Sequence, residues 1–228
     1  MRRSGPGMVV VLTALAGLTL GGCQETCPDD GMLKGEAPPK GTEVWCEIVG
    51  SEGENLRHGE RKVWWETGKL KLHERYARGK LHGRQLTYHE NGKVFRDESF
   101  AEGVKHGPSK TFFENGAPWR AGEFAQGKRQ GKWVEHALGG AKAHEGEFAA
   151  DKRTGHWIFY SQTGVPEKEV QYEEGRLHGP WWTWHPVGQK AITGTYVDGK
   201  RDGVELHFDK SGNEIERITW KAGKRVGG

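Results

Sequence analysis

Glycines return every 24 residues along this chain, and that spacing limits the fold more tightly than any other feature. One column runs Gly59, Gly83, Gly107, Gly131, Gly155, Gly179, Gly203 and Gly227. A second runs Gly68, Gly92, Gly116, Gly140, Gly164, Gly188 and Gly212. A third runs Gly79, Gly103, Gly127, Gly175, Gly199 and Gly223, with Asp151 in the remaining place. Aromatic columns keep the same step: Tyr76, Phe100, Phe124, Phe148, Tyr172, Tyr196 and Trp220 form one, and Trp64, Tyr88, Phe112, Tyr160, Trp184 and Phe208 form another, broken by His136. No insertion or deletion interrupts the array from His58 to Arg225. A period of this length marks stacked supersecondary units, each too small to bury its apolar face alone.

Within a unit the residues read as strand, turn, strand, turn. Leu86 and Tyr88 alternate with polar neighbours at the strand period of two. Asn91-Gly92 then signals a hairpin, and a primed turn is expected there because both residues tolerate positive φ. The second reversal, Glu102 to Gly107, holds two glycines, as a tight turn near a neighbouring backbone would. Helical periodicity is absent. The expectation is an all-β fold: an elongated array of antiparallel β-hairpins, about seven 24-residue units in one twisted, solenoid-like sheet. Two strands per unit at ~4.8 Å spacing give about 10 Å per unit, hence a ribbon roughly 70 Å long. Only 34% of residues are hydrophobic and mean hydropathy is -0.81, too polar for a thick core. Yet 10 Trp, 8 Phe and 5 Tyr rule out a disordered chain, so a shallow core of stacked rings is expected.

The N-terminus reads as an export signal over residues 1–22: Arg2 and Arg3, then an apolar run from Met8 to Leu20 too short to span a bilayer. Leu20-Gly21-Gly22-Cys23 resembles a bacterial lipobox, which implies acylation of Cys23 and membrane anchoring through its lipid. Gln24 follows, and by resemblance to Gram-negative sorting rules this implies the outer membrane, facing the periplasm. Residues 23–43 are then a tether, 44–57 a degenerate first hairpin, and 58–228 the array. In an oxidising compartment Cys27 and Cys46 are natural disulfide partners; two free thiols are the alternative. Val226-Gly227-Gly228 opens an eighth unit, so an edge strand is expected to be left for docking or for a homodimer.

The segments Lys80-Leu-His-Gly83, Val104-Lys-His-Gly107 and Arg176-Leu-His-Gly179 resemble the core of MORN repeats. The aromatic strand, Asn-Gly-Lys and Gly-Lys that follow are similar to a bacterial variant found in YwqK-family antitoxins of toxin–antitoxin systems. The resemblance covers residues 58–225, and about 34–57 more weakly, and implies extended hairpin ribbons that mediate protein contacts, dimerisation and sometimes lipid association. The antitoxin name implies neutralising a partner by binding. Gln130, Thr154 and Asp202 depart from the pattern by replacing its His.

No catalytic residues are expected. His58, His82, His106 and His178 recur ~10 Å apart, whereas Zn–N bonds are about 2.1 Å, so consecutive ones cannot share an ion and no metal site or cofactor is expected. They read as turn residues capping backbone groups. Glu74 and Glu98 recur one repeat apart and read as a solvated face. Nucleophile-elbow, phosphate-loop and zinc-protease strings are absent. With 34 basic and 31 acidic residues there is no call for a nucleic-acid partner. Trp133, Trp157 and Trp181 hold one position in successive units, on the side of the strand opposite Val134, Ile158 and Trp182. They form either a binding surface for a partner or mutual packing over a thin sheet; the binding surface is the hypothesis taken forward. The expected function is a non-catalytic interaction scaffold at the cell envelope, with an unknown protein partner. The alternatives are an antitoxin or immunity-type protein, then a carbohydrate- or lipid-binding surface.

Overall fold

The computed structural model describes residues 27–227. The signal segment 1–22, Cys23, Gln24 and Gly228 lie outside the described residues. Within them the chain forms one antiparallel sheet, with no helix. The strands meander along the sheet to Glu214–Lys221 and the short Lys224–Gly227; in three places, as at Lys80–Leu81 and Gly83–Tyr88, two successive segments share one partner strand, here Leu70–Ala77. The array of 24-residue hairpins is therefore the architecture.

The sheet starts earlier than the sequence suggests. Met32–Glu36 pairs with Glu43–Val49, which in turn pairs with Asn55–Trp64. Part of the supposed tether is thus the first strand. Gly35 interrupts its alternation and most of its side chains lie exposed, so backbone pairing holds it rather than burial, and no hydrophobic pattern marks it. Cys27 and Cys46 are joined, with Cα atoms 5.5 Å apart, which ties the entering chain to this end of the sheet.

The two reversals of each unit differ in kind. At Arg78-Gly79 both residues have positive φ, 46° and 82°, and Ala77 pairs with Lys80 across them. This is the primed two-residue turn whose twist suits a hairpin. At Asn91-Gly92 only the glycine is left-handed; Gly92 N–H donates to His89 O, and His89 N–H to Lys93 O. A type I turn closed by a glycine bulge results, because the loop there is longer than two residues. The primed turn expected at Asn91-Gly92 therefore sits at the opposite end of the hairpin. Asp151, in a glycine column, holds φ of 70°, a conformation its short polar side chain tolerates.

Successive tips are bonded to one another. Gly103 N–H donates to Leu81 O at 2.8 Å, Gly127 N–H to Lys105 O at 2.8 Å and Gly175 N–H to Arg153 O at 2.8 Å. The residue at the His position adds a cap: His58 Nδ1, Gln130 Oε1 and Asp202 Oδ2 accept from the backbone N–H of Arg78, Ala150 and Ala222 in the following tip. Any acceptor of suitable reach does this work, which explains why Gln and Asp replace His.

The core lies on one face of the sheet: Trp133, Phe148, Trp157, Val170 and Trp181, flanked by Phe124, Tyr172, Ile192 and Tyr196. Each indole lies against a glycine. A Cβ built on Gly122 or Gly146 would come 2.2 Å from ring carbons of Trp133 or Trp157, and one on Gly194 would come 2.8 Å from Trp181 Nε1. Edge-on rings close the sides, with Phe148 5.1 Å and Tyr172 5.9 Å from Trp157. These T-shaped contacts suit the ring quadrupole. Toward the N-terminal end the same line of positions turns polar, with Arg61 opposite Glu74, Gln85 opposite Glu98 and Ser109 opposite Gly122.

Candidate functional site

The ring face is capped by cations. Arg57, Lys105, Arg129, Arg153 and Arg201 occupy one column of the repeat, and each reaches over aromatic rings. Arg57 sits 5.7 Å from the Trp45 centroid, Lys105 5.2 Å from Phe124, Arg129 4.0 Å from Phe148, Arg153 4.4 Å from Trp157, and Arg201 4.9 Å from Trp220. The register explains the placement: Arg129 pairs with Phe124 and Arg153 with Phe148, so the column shares a face with the ring column. A cation above a ring contributes about 0.5–2 kcal/mol, the more as it is desolvated.

Over the fourth unit, residues 130–153, this face opens into a hollow of about 210 Å³. Arg120, Arg129, Arg153, Glu135 and His144 surround it, with Trp133, Phe148 and Trp157 as its floor. Arg120 Nη2 pairs with Glu135 Oε2 at 2.8 Å, and Arg129 Nε with Asp151 Oδ1 at 2.8 Å. Arg153 has no carboxylate partner among the described residues; its Nη1 donates to the Tyr172 hydroxyl at 3.1 Å. His144 stacks 5.9 Å from Trp157, with Nε2 3.8 Å from Glu135. Burial pushes the His144 imidazole below the ordinary histidine value, Glu135 opposes this, and Arg153 and Arg120 reinforce it. With His144 neutral, the three guanidiniums are balanced by two carboxylates, Glu135 in the hollow and Asp151 on the exposed turn beside it. The hollow carries one surplus positive charge.

On the opposite face Glu145 Oε1 accepts from the Tyr160 hydroxyl at 2.5 Å and from Lys142 at 2.9 Å, and its Oε2 forms an ion pair with Lys132 at 2.9 Å. Burial would raise its pKa, but these donors prevail and hold the carboxyl down at about 2, while burial and the same carboxylate push the Tyr160 phenol up to about 12. Its negative charge is fully matched, so the cluster ties strands together.

Several expectations need correction. Trp133, Trp157 and Trp181 are 6%, 1% and 4% exposed, so the indoles are core and not a surface for a partner. Strand alternation correctly separates them from Val134, Ile158 and Trp182, but it cannot say which face is covered. Glu74 and Glu98 are 3% and 5% exposed rather than solvated. Glu74 accepts from Arg61, Tyr76 and Gln85, and Glu98 pairs with Lys105 at 2.5 Å. His58 caps a backbone N–H and sits 3.0 Å from Asp29, whereas His82 lies 3.6 Å from Glu102 in the next turn and His178 3.6 Å from Glu173 at a strand end. Among the described residues no three His, Cys, Asp or Glu side chains converge as metal ligands. The arginine column was missed, although its 24-residue step stands in the sequence beside the glycine columns.

Fold and site together define a repeat array that presents a cation-capped ring face. Three of its units, residues 57–77, 81–102 and 153–174, match the MORN repeat variant. Repeats of this type are non-catalytic and serve generally as protein- and membrane-binding modules. Among curated proteins no match is found.

Proposed function

We propose that this protein is a binding scaffold held at the cell envelope, with no reaction of its own. The observation that carries the reading is the row of cations seated on rings along one face of an open sheet. Guanidiniums remain charged throughout the physiological range and offer forked donors, so such a face suits recognition better than proton transfer. Cys23 supplies the anchor in this reading, through the lipid its lipobox-like surroundings call for. The partner is a protein that meets the ring face. The three matched units favour a binding role in general and lend nothing to toxin neutralisation.

A photoreactive amino acid placed in living cells tests this. At Arg96, exposed on the ring face, it should yield a discrete adduct; at Lys110, exposed on the opposite face, it should not. Cys23→Ala should release the protein from the membrane fraction and remove the adduct. Equal adducts at both positions, or none at Arg96 in the anchored protein, would overturn the proposal.

A further inference from the structure

The hollow over the fourth unit has a more definite chemistry than the face around it. We infer that it binds one carboxylate presented by an acidic peptide, held by Arg153 with help from Arg120 and Arg129. The assignment rests on the scaffold reading and gives that face its ligand.

Charge comes first. Arg120 and Arg129 are matched by Glu135 and Asp151, and Arg153 is held only by a phenol hydroxyl. A buried or half-buried guanidinium without a counter-ion is costly, and an incoming anion removes that cost. One surplus charge calls for a monoanion. A phosphate dianion would bring a second negative charge against Glu135 and Asp151, with nothing left to neutralise it.

Donor geometry points the same way. Each guanidinium carries five N–H donors, and Arg153 uses one of them on Tyr172. The remaining fork matches the two oxygens of a carboxylate. Arg153 is moreover fixed in place, 4.4 Å from Trp157 and 5.4 Å from Tyr172, so little side-chain freedom is lost on binding.

A hollow of about 210 Å³ has room for a carboxylate on a short aliphatic stem. Ring placement excludes a stacked sugar. Sugar stacking needs an open ring face, and Trp133 and Trp157 are only 6% and 1% exposed: Gly122 and Gly146 lie beneath them, and Arg153 and His144 cover Trp157 from above at 4.4 Å and 5.9 Å. What remains to a ligand is the guanidinium rim. A glutamate side chain reaching down from a peptide laid across the open sheet fits that rim.

The test titrates the full mature protein with a blocked pentapeptide, acetyl-Ala-Ala-Glu-Ala-Ala-amide, and with its Gln twin. The side-chain Nε–H resonances of Arg120, Arg129 and Arg153 and the indole N–H of Trp157 report on the hollow. The Glu peptide should shift them saturably and the Gln peptide should not. Arg153→Gln should weaken binding at least tenfold, and Arg153→Lys should fall between; unchanged circular dichroism in both keeps a folding defect apart from a binding one. Equal shifts from the Gln peptide, indifference to Arg153→Gln, or tighter binding of inorganic phosphate than of the Glu peptide would overturn the assignment. If the peptide leaves the hollow unmoved while the Arg96 adduct still forms, the carboxylate falls and the scaffold reading stands.

Discussion

Replacing Gly146 by Ala should destabilise the array through Trp157 alone. Gly146 is not left-handed, so alanine meets no backbone strain there, and removing a strand glycine should by itself stabilise by about 0.5–1 kcal/mol. The new methyl, however, would occupy the space of the Trp157 ring. That ring cannot retreat, since Phe148, Tyr172 and Phe159 border it and its N–H is bonded to Glu147 O and Thr154 O. Overpacking of a tight core costs about 1–3 kcal/mol, and a net loss near the middle of that range is expected. Trp157→Ala, by emptying the site, should cost about 3–5 kcal/mol. In that background Gly146→Ala should change sign and stabilise by about 0.5–1 kcal/mol, giving a coupling of about 3 kcal/mol between the two positions. Urea unfolding followed by circular dichroism measures each corner of the cycle. Amide exchange in Lys142–Ala149 localises the effect. If Gly146→Ala costs the same with and without the indole, the account of the core as rings laid against glycines is wrong.

Three further outcomes are expected. Reducing the Cys27–Cys46 bridge, which closes a separation of 19 residues, should cost about 3 kcal/mol by chain entropy and deprotect Met32–Glu36 and Glu43–Val49 in hydrogen exchange. The Trp157 region should be unaffected, and unchanged exchange in the first strands would contradict the prediction. His144 should titrate by NMR with a midpoint below the ordinary value of 6.5, because burial disfavours its charged form. The folded state then binds fewer protons than the unfolded one, so stability should decline as pH falls from that value through the folded midpoint; a midpoint above it would refute the assignment. Glu145 has the opposite charge and a depressed value of about 2, so its contribution is present above the ordinary 4.5 and is lost as pH falls toward 2. Tyr160→Phe should raise that midpoint in a carboxyl-carbon titration, and no change would remove the phenol from the network.

The amino-acid sequence alone determined the period, the all-β class and the hairpin order. Glycine at positions such as Gly79 and Gly92 is a local demand of backbone sterics, written wherever a turn needs positive φ. The aromatic columns likewise announced a thin core. Only the tertiary structure decided which face that core would cover. Alternation puts Trp157 and Ile158 on opposite sides of a strand without ranking them, and the decision lay across the register, in Gly122 and Gly146 making room for the indoles. It also decided the site. Arg129, Arg153 and Arg120 come from separate strands, and whether each is matched by a carboxylate depends on neighbours more than ten residues away. Backbone conformation is dictated nearest-neighbour by nearest-neighbour, whereas burial and charge balance are sums over groups that meet only once the sheet has formed.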